Sequence, residues 1–132
     1  MKLLDTNIII YYLKGDPAIV ARIRNASRGE LAIPAVVVYE LEYGTLRSKL
    51  SARRRRELEM GLAHIQHVPF DSAAAMAAAR IRVEIEIRGL TIGPLDLPIA
   101  GTALSRGAAL VTTNAAEFSR VPGLRVLDWK SA

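Results

Sequence analysis

The feature that most constrains this chain is a repeated alternation between short apolar runs and stretches of helical periodicity. Lys2-Leu3-Leu4 runs into the polar turn Asp5-Thr6-Asn7, and Ile8 to Leu13 then reads as a helix closed by Gly15. Pro17 opens a second helix through Ile19, Val20 and Ile23. Leu31-Ala32-Ile33 predicts a second strand stopped by Pro34, with a helix from Val36 to Arg47 behind it. Ser51 caps a charged helix over Ala52 to Ala63. Ile65 to Phe70 predicts a third strand, and Asp71 or Ser72 caps an alanine-rich helix ending near Gly89. Within it, Ile81 to Ile87 alternates with period two, a strand pattern. The alanines before it and Gly89 after it favour helix. Pro94 starts another helix through Leu104, stopped at Gly107. Ala109-Leu110-Val111 predicts a fourth strand ending in Thr112-Thr113-Asn114, and Arg125-Val126-Leu127 a last one.

Strands alternating with helices imply a parallel sheet covered on both faces, an α/β fold. The 132 residues fit one domain over 1–132, and no internal repeat, linker or low-complexity tail divides them. In such sheets ligands sit at the carboxyl ends of the strands. Asp5 and Asn114 both fall directly after a predicted strand.

Composition then removes several function classes. A hydrophobic fraction of 51% excludes a disordered segment. No apolar run is long enough to span a bilayer, and the acid at Asp5 argues against a secretory signal. The absence of cysteine excludes disulfides and thiolate chemistry and is compatible with a reducing cytoplasm. The only histidines, His64 and His67, are too few for a zinc site and read as structural or surface residues. No G-x-G-x-x-G or P-loop follows the first strand, which argues against nucleotide binding. A receiver-type domain would want adjacent acids there, and none stand there. The net charge of +5 favours polyanionic partners such as nucleic acid. Arg47, Lys49 and Arg53-Arg54-Arg55-Arg56 form a basic region, although Arg53 can pair with Glu57 and Arg55 with Glu59 at helical spacing.

Against this basic background a few acids take inward positions. Glu40 shares a helix face with Val36, Val37 and Gly44, whereas Glu42 points to solvent. Asp96 stands in a first helical turn on a stripe with Ile99, Ala100 and Ala103. An inward carboxylate costs energy unless something pairs it. Crowded carboxylates would take up protons unless a cation lies between them. Hard divalent ions want oxygen ligands, so Asp5, Glu40 and Asp96 together point to a metal such as magnesium or manganese.

Five segments appear in order: Leu4-Asp5-Thr6-Asn7-Ile8, Tyr39-Glu40-Leu41-Glu42-Tyr43-Gly44, Ile92-Gly93-Pro94-Leu95-Asp96, Val111 to Phe118, and Arg120-Val121-Pro122-Gly123-Leu124. In these the chain resembles the PIN-domain nucleases, specifically the VapC-type toxins of toxin–antitoxin pairs, nearly end to end. The resemblance implies a three-layer α/β/α fold and an acidic site that holds Mg2+ or Mn2+ and cuts RNA. By motif position Asp5, Glu40 and Asp96 match the family's principal acids. Its fourth acid falls on Asn114, with Glu117 about one turn further on, and Thr6 and Thr112 match hydroxyl positions beside the site. Ala35 stands where many relatives have serine, and Gly101-Thr102 where many have alanine and histidine. The implied partners are RNA, a cognate antitoxin protein and a second copy of the chain, in the cytoplasm. Two other readings share the pattern: a binding module without catalysis, favoured by Asn114, and a DNA nuclease of the same fold.

Overall fold

The computed structural model describes residues 1–49 and 51–130. Strands β1 (Lys2–Leu4), β2 (Leu31–Pro34), β3 (Gln66–Val68), β4 (Ala109–Val111) and β5 (Val126–Leu127) form one sheet in the order β3-β2-β1-β4-β5. Every neighbouring pair is parallel. Helices α1 (Thr6–Leu13), α2 (Pro17–Asn25), α3 (Ala35–Ser48), α4 (Ala52–Leu62), α5 (Ser72–Ile87), α6 (Asp96–Ser105) and α7 (Ala115–Phe118) flank it. This is the expected three-layer α/β/α arrangement. Among the described residues no helix is long and apolar enough to cross a membrane.

The strand order puts β1 at the centre. The chain leaves β1 toward β2 on one side and later returns to β4 on the other. A crevice opens at the carboxyl ends of strands where crossovers diverge in this way. The sheet beneath it is apolar on both faces: Leu3, Leu4, Ala32, Ile33, Leu110 and Val111 are all buried. Ile8, Ile9, Ile19, Val37, Ile81, Ile85, Ile99 and Phe118 cover them from the helices.

Helix starts follow local chemistry. Asp16 caps α2 by accepting from the Ala18 and Ile19 amides, with Pro17 at the first helical position. Asp71 caps α5 through the Ala74 amide. The period-two run at 81–87 is helical, and the physical reason is spacing. Ile81 and Ile85, four apart, are buried, whereas Val83 and Ile87 face out. Arg82 and Glu86 pair at 2.8 Å on the outer face.

The structure differs from the sequence expectations at several edges. Pro34 belongs to β2, opposite Val68, and its φ of −62° also suits the turn into α3. Strand β3 is shorter than Ile65–Phe70, since Pro69 has no N–H with which to extend the ladder. Helix α6 begins at Asp96 and not at Pro94, after a turn in which the Asp96 and Leu97 amides both donate to the Gly93 carbonyl. Gly44 is exposed and lies off the inward stripe of α3. The one-turn α7 is too short to show periodicity.

Candidate active site

The base of the crevice is set by sheet register. Asp5 leaves β1 as the N-cap of α1 and is only 5% exposed. Its backbone N–H donates to the Val111 carbonyl on neighbouring β4 at 2.9 Å. Its Oδ1 accepts the Thr6 amide at 2.8 Å and its Oδ2 accepts the buried Thr112 hydroxyl at 2.7 Å. Burial pushes the Asp5 carboxyl above its ordinary range despite these two donors.

Glu40 comes from α3, half-buried, and accepts the Thr6 hydroxyl at 3.1 Å. Burial raises its carboxyl, and the Asp5 charge adds to this. Glu42 is exposed, as its helix face requires, and pairs with Arg55 of α4. Asp96 opens α6. Burial and the charges of Glu117, Asp5 and Glu40 push its carboxyl up to about 7.

A chain of hydrogen bonds closes the group. The Thr112 hydroxyl accepts the Asn114 amide N–H at 2.9 Å, and the Asn114 side-chain amide donates to Glu117 Oε2. Glu117 Oε1 accepts the Gly93 N–H at 2.6 Å. Burial alone would raise Glu117, but the donors from Gly93 and Asn114, the contact with Asp96 and the Arg120 charge together hold it below its ordinary range. Gly93 also lies against Asp96: a Cβ there would stand 2.7 Å from Asp96 Oδ2. A glycine is therefore needed for backbone and carboxylate to approach so closely.

The structure thus gathers Asp5, Glu40, Asp96, Asn114 and Glu117, with Thr6 and Thr112, into one connected group. His64 and His67 are exposed and take no part in it. Gly93 and Arg120, which lie in motifs legible in the sequence, gain roles that the sequence did not suggest. Arg53–Glu57 and Arg55–Glu59 pair at 3.4 Å each, as their spacing predicts; the Arg54 side chain lies outside the described residues.

In chemistry the donor set fits a hard divalent cation. It is all oxygen, it carries several mutually repelling carboxylates, and among the described residues no lysine or arginine forms an ion pair with Asp5, Glu40 or Asp96. Among the described residues no group of three His, Cys, Asp or Glu side chains stands arranged to hold a metal ion. Beside the acids runs a groove of about 1020 Å³, with Ile10, Leu13, Val38, Leu41, Leu62 and Ile65 on its walls and Thr6 and Glu40 among its lining.

Fold and cleft define a class: a parallel α/β domain with an all-oxygen acidic site at its switch point. The family model described as PIN domain matches residues 2–124. A tRNA(fMet)-specific endonuclease VapC from Shigella flexneri is 41% identical over 127 residues, covering 96% of each chain. The DNA-bound VapBC crystal structure from Salmonella typhimurium contains a chain of 34% identity with a TM-score of 0.89, covering 97% of both chains. VapBC2 from Rickettsia felis, bound to a promoter DNA fragment, contains one of 32% identity and TM-score 0.87, covering 97% of this chain and 98% of that one. The chain belongs to the PIN-domain family, among the VapC ribonucleases.

Proposed function

We propose that this chain is a metal-dependent endoribonuclease, the toxin of a toxin–antitoxin pair, acting in the cytoplasm through Asp5, Glu40 and Asp96. The observation that carries the reading is the connected acidic group at the switch point, whose mutual repulsion is only partly answered by hydrogen bonds. Asp5, Glu40 and Asp96 would hold Mg2+ or Mn2+. When bound, such an ion lowers the pKa of a water and offsets charge developing on the phosphate.

The chain's own residues do the rest. Thr112 and the Thr6 amide fix both oxygens of Asp5, so its carboxylate cannot rotate away from the cleft. The Thr6 hydroxyl orients Glu40 in the same way. Burial and the neighbouring acids raise Asp96 to about 7, and positive charge entering the cleft would favour its ionised form. Asn114 keeps Glu117 in place by its side-chain amide. No nucleophile for a covalent intermediate is needed, because water is the attacking group.

The proposed partners are RNA, an antitoxin and a second copy of the chain. The largely apolar groove, with Thr6 and Glu40 among its lining, suits an antitoxin segment that reaches from its walls to the acids. The Shigella relative's name specifies one transfer RNA as its target, which makes transfer RNA the first substrate to try.

The test is cleavage of total RNA and of single-stranded DNA by the purified, antitoxin-free protein with Mn2+, Mg2+ or chelator, beside Asp5→Asn, Glu40→Gln and Asp96→Asn. Discrete RNA fragments that need metal and disappear in each folded variant are the expected result. Cleavage surviving in a variant removes that residue from the site. Preferential cutting of DNA, or no metal-dependent cutting at all, overturns the reading.

A further inference from the structure

The segment that delivers Asp96 has little structure of its own. Between α5 and α6, residues 88–95 form neither helix nor strand, and Leu90, Thr91, Pro94 and Leu95 are exposed. Yet Asp96 must be placed to within a fraction of an ångström if it is to act with Asp5, since constellations looser than that lose most of their power.

Three contacts tie this segment to α7 and the turn after it. The Arg88 guanidinium donates to the Arg120 carbonyl. The Arg120 guanidinium donates to the Thr91 carbonyl at 2.8 Å. Glu117, nearly one turn before Arg120, takes the Gly93 N–H at 2.6 Å. Gly93 then passes the constraint on, because its carbonyl accepts the Asp96 amide at 3.0 Å and the Leu97 amide at 3.1 Å. The base is rigid: Phe118 is fully buried and Val121 nearly so, on either side of Arg120.

Other cations have different employment. Arg53, Arg55, Arg82, Arg106 and Lys130 all pair with carboxylates. Arg120 instead donates to the Thr91 backbone carbonyl, two residues before the Gly93–Asp96 turn begins, while its charge also favours the ionised form of Glu117. A guanidinium suits this task because its long side chain spans the gap between the two segments and its charge strengthens the hydrogen bond.

We infer that Arg120 is a positioning residue for Asp96, acting with Arg88 by holding the 88–95 segment against α7. This rests on the nuclease reading above. Arg120 touches no reacting atom in this role; it fixes where Gly93 lies, and Gly93 fixes where α6 begins.

The experiment compares wild type with Arg120→Ala, Arg120→Lys and Arg88→Ala. It measures amide hydrogen exchange in the metal-free protein, then kcat and KM for a single-stranded RNA with Mn2+. In Arg120→Ala the Gly93 and Asp96 amides should exchange faster, while Leu3 and Leu110 in the sheet stay protected. The same variant should lose about tenfold to a hundredfold in kcat, the usual cost of deleting an outer partner of a metal-site residue, with KM within about twofold of wild type. Arg120→Lys should recover much of both, since one carbonyl needs only one donor. Arg88→Ala should move both readouts the same way by less, and carries the test if Arg120→Ala does not fold.

Unchanged exchange and unchanged kcat in these variants overturn the inference. So does a loss confined to KM and sensitive to salt, which would make Arg120 a phosphate contact. Failure of the underlying reading looks different: the wild type itself would show no metal-dependent cleavage.

Discussion

At Asp96, partial burial and three charged neighbours act on a single carboxyl and push it up to about 7. The helix dipole works the other way, but an acid in a first turn gains at most about 2 kcal/mol from it. The folded protein therefore keeps this proton up to about pH 7, whereas the unfolded chain releases it near the ordinary value of 3.8. Between those values the folded state binds more protons, so this group's contribution to stability falls as pH rises. In metal-free protein, Asp96→Asn should melt at a higher temperature than wild type at pH 8, and the gap should close below about pH 4. Thermal melts in chelator across that range test it; a gap independent of pH would remove repulsion as the cause. Asp5 and Glu40 share the sign, and because their charges repel Asp96 they titrate together with it, so the comparison reads the repulsion of the whole acidic group. Asp5 and Asp96 were legible in the sequence because one follows a strand and the other sits on an inward helical stripe. The link from Glu117 to Gly93 was not, because it joins residues distant in sequence through a backbone amide that leaves no pattern.

Between elements, α5 and α6 pack tightly at Gly101. A Cβ on Gly101 would stand 2.7 Å from the Ala74 carbonyl oxygen, 2.7 Å from the Ala78 Cβ and 2.8 Å from the Ala78 nitrogen. Two of these are backbone atoms of a helix and cannot yield without moving it. Here Gly101 finds its reason: this pair of helices packs through alanine and glycine, and Ala74, Ala77 and Ala78 are all buried. Gly101→Ala gains about 1 kcal/mol of helix propensity. It must also push α6 off α5, and such overpacking typically costs about 1–3 kcal/mol. The net expectation is a lower unfolding midpoint in denaturant, with disturbance reaching Asp96 at the start of the same helix; a midpoint equal to or above wild type would show that the helices separate freely. Most elements were legible because apolar spacing and capping residues act within a few positions. The exceptions were the end of β3, where Pro69 cannot donate to the ladder, and the one-turn α7, which rests on the burial of Phe118 and has no periodicity of its own.

Across the whole molecule, the alternation of strands and helices announced a parallel sheet, but strand order depends on pairings between distant segments and had no local signature. The same holds for the strap that closes the fold after β5. Trp129 is 7% exposed, with the Arg22 guanidinium 5.5 Å above its ring. Lys130 lies 4.4 Å over the Tyr11 ring and pairs with Asp16, the residue that caps α2. Residues 129 and 130 thus pin the junction of α1 and α2. Their energy is unequal: the exposed cation–π contact with Arg22 contributes about 0.5–1 kcal/mol, whereas emptying a buried tryptophan site costs about 3–5 kcal/mol. The strap is also remote from the cleft. Asp5 caps one end of α1 and Tyr11 lies near the other, and an eight-residue helix is about 12 Å long. Stability and activity should therefore separate here. Trp129→Ala should lose about 3 kcal/mol of unfolding free energy in denaturant titrations followed by circular dichroism. Its kcat and KM at 25 °C should stay within about twofold of wild type, because enough of the folded state's typical 5–15 kcal/mol survives to keep the cleft assembled. A variant with wild-type stability and reduced kcat would mean that the strap reaches the acids through α1, and that this helix transmits position along its length as well as supporting it.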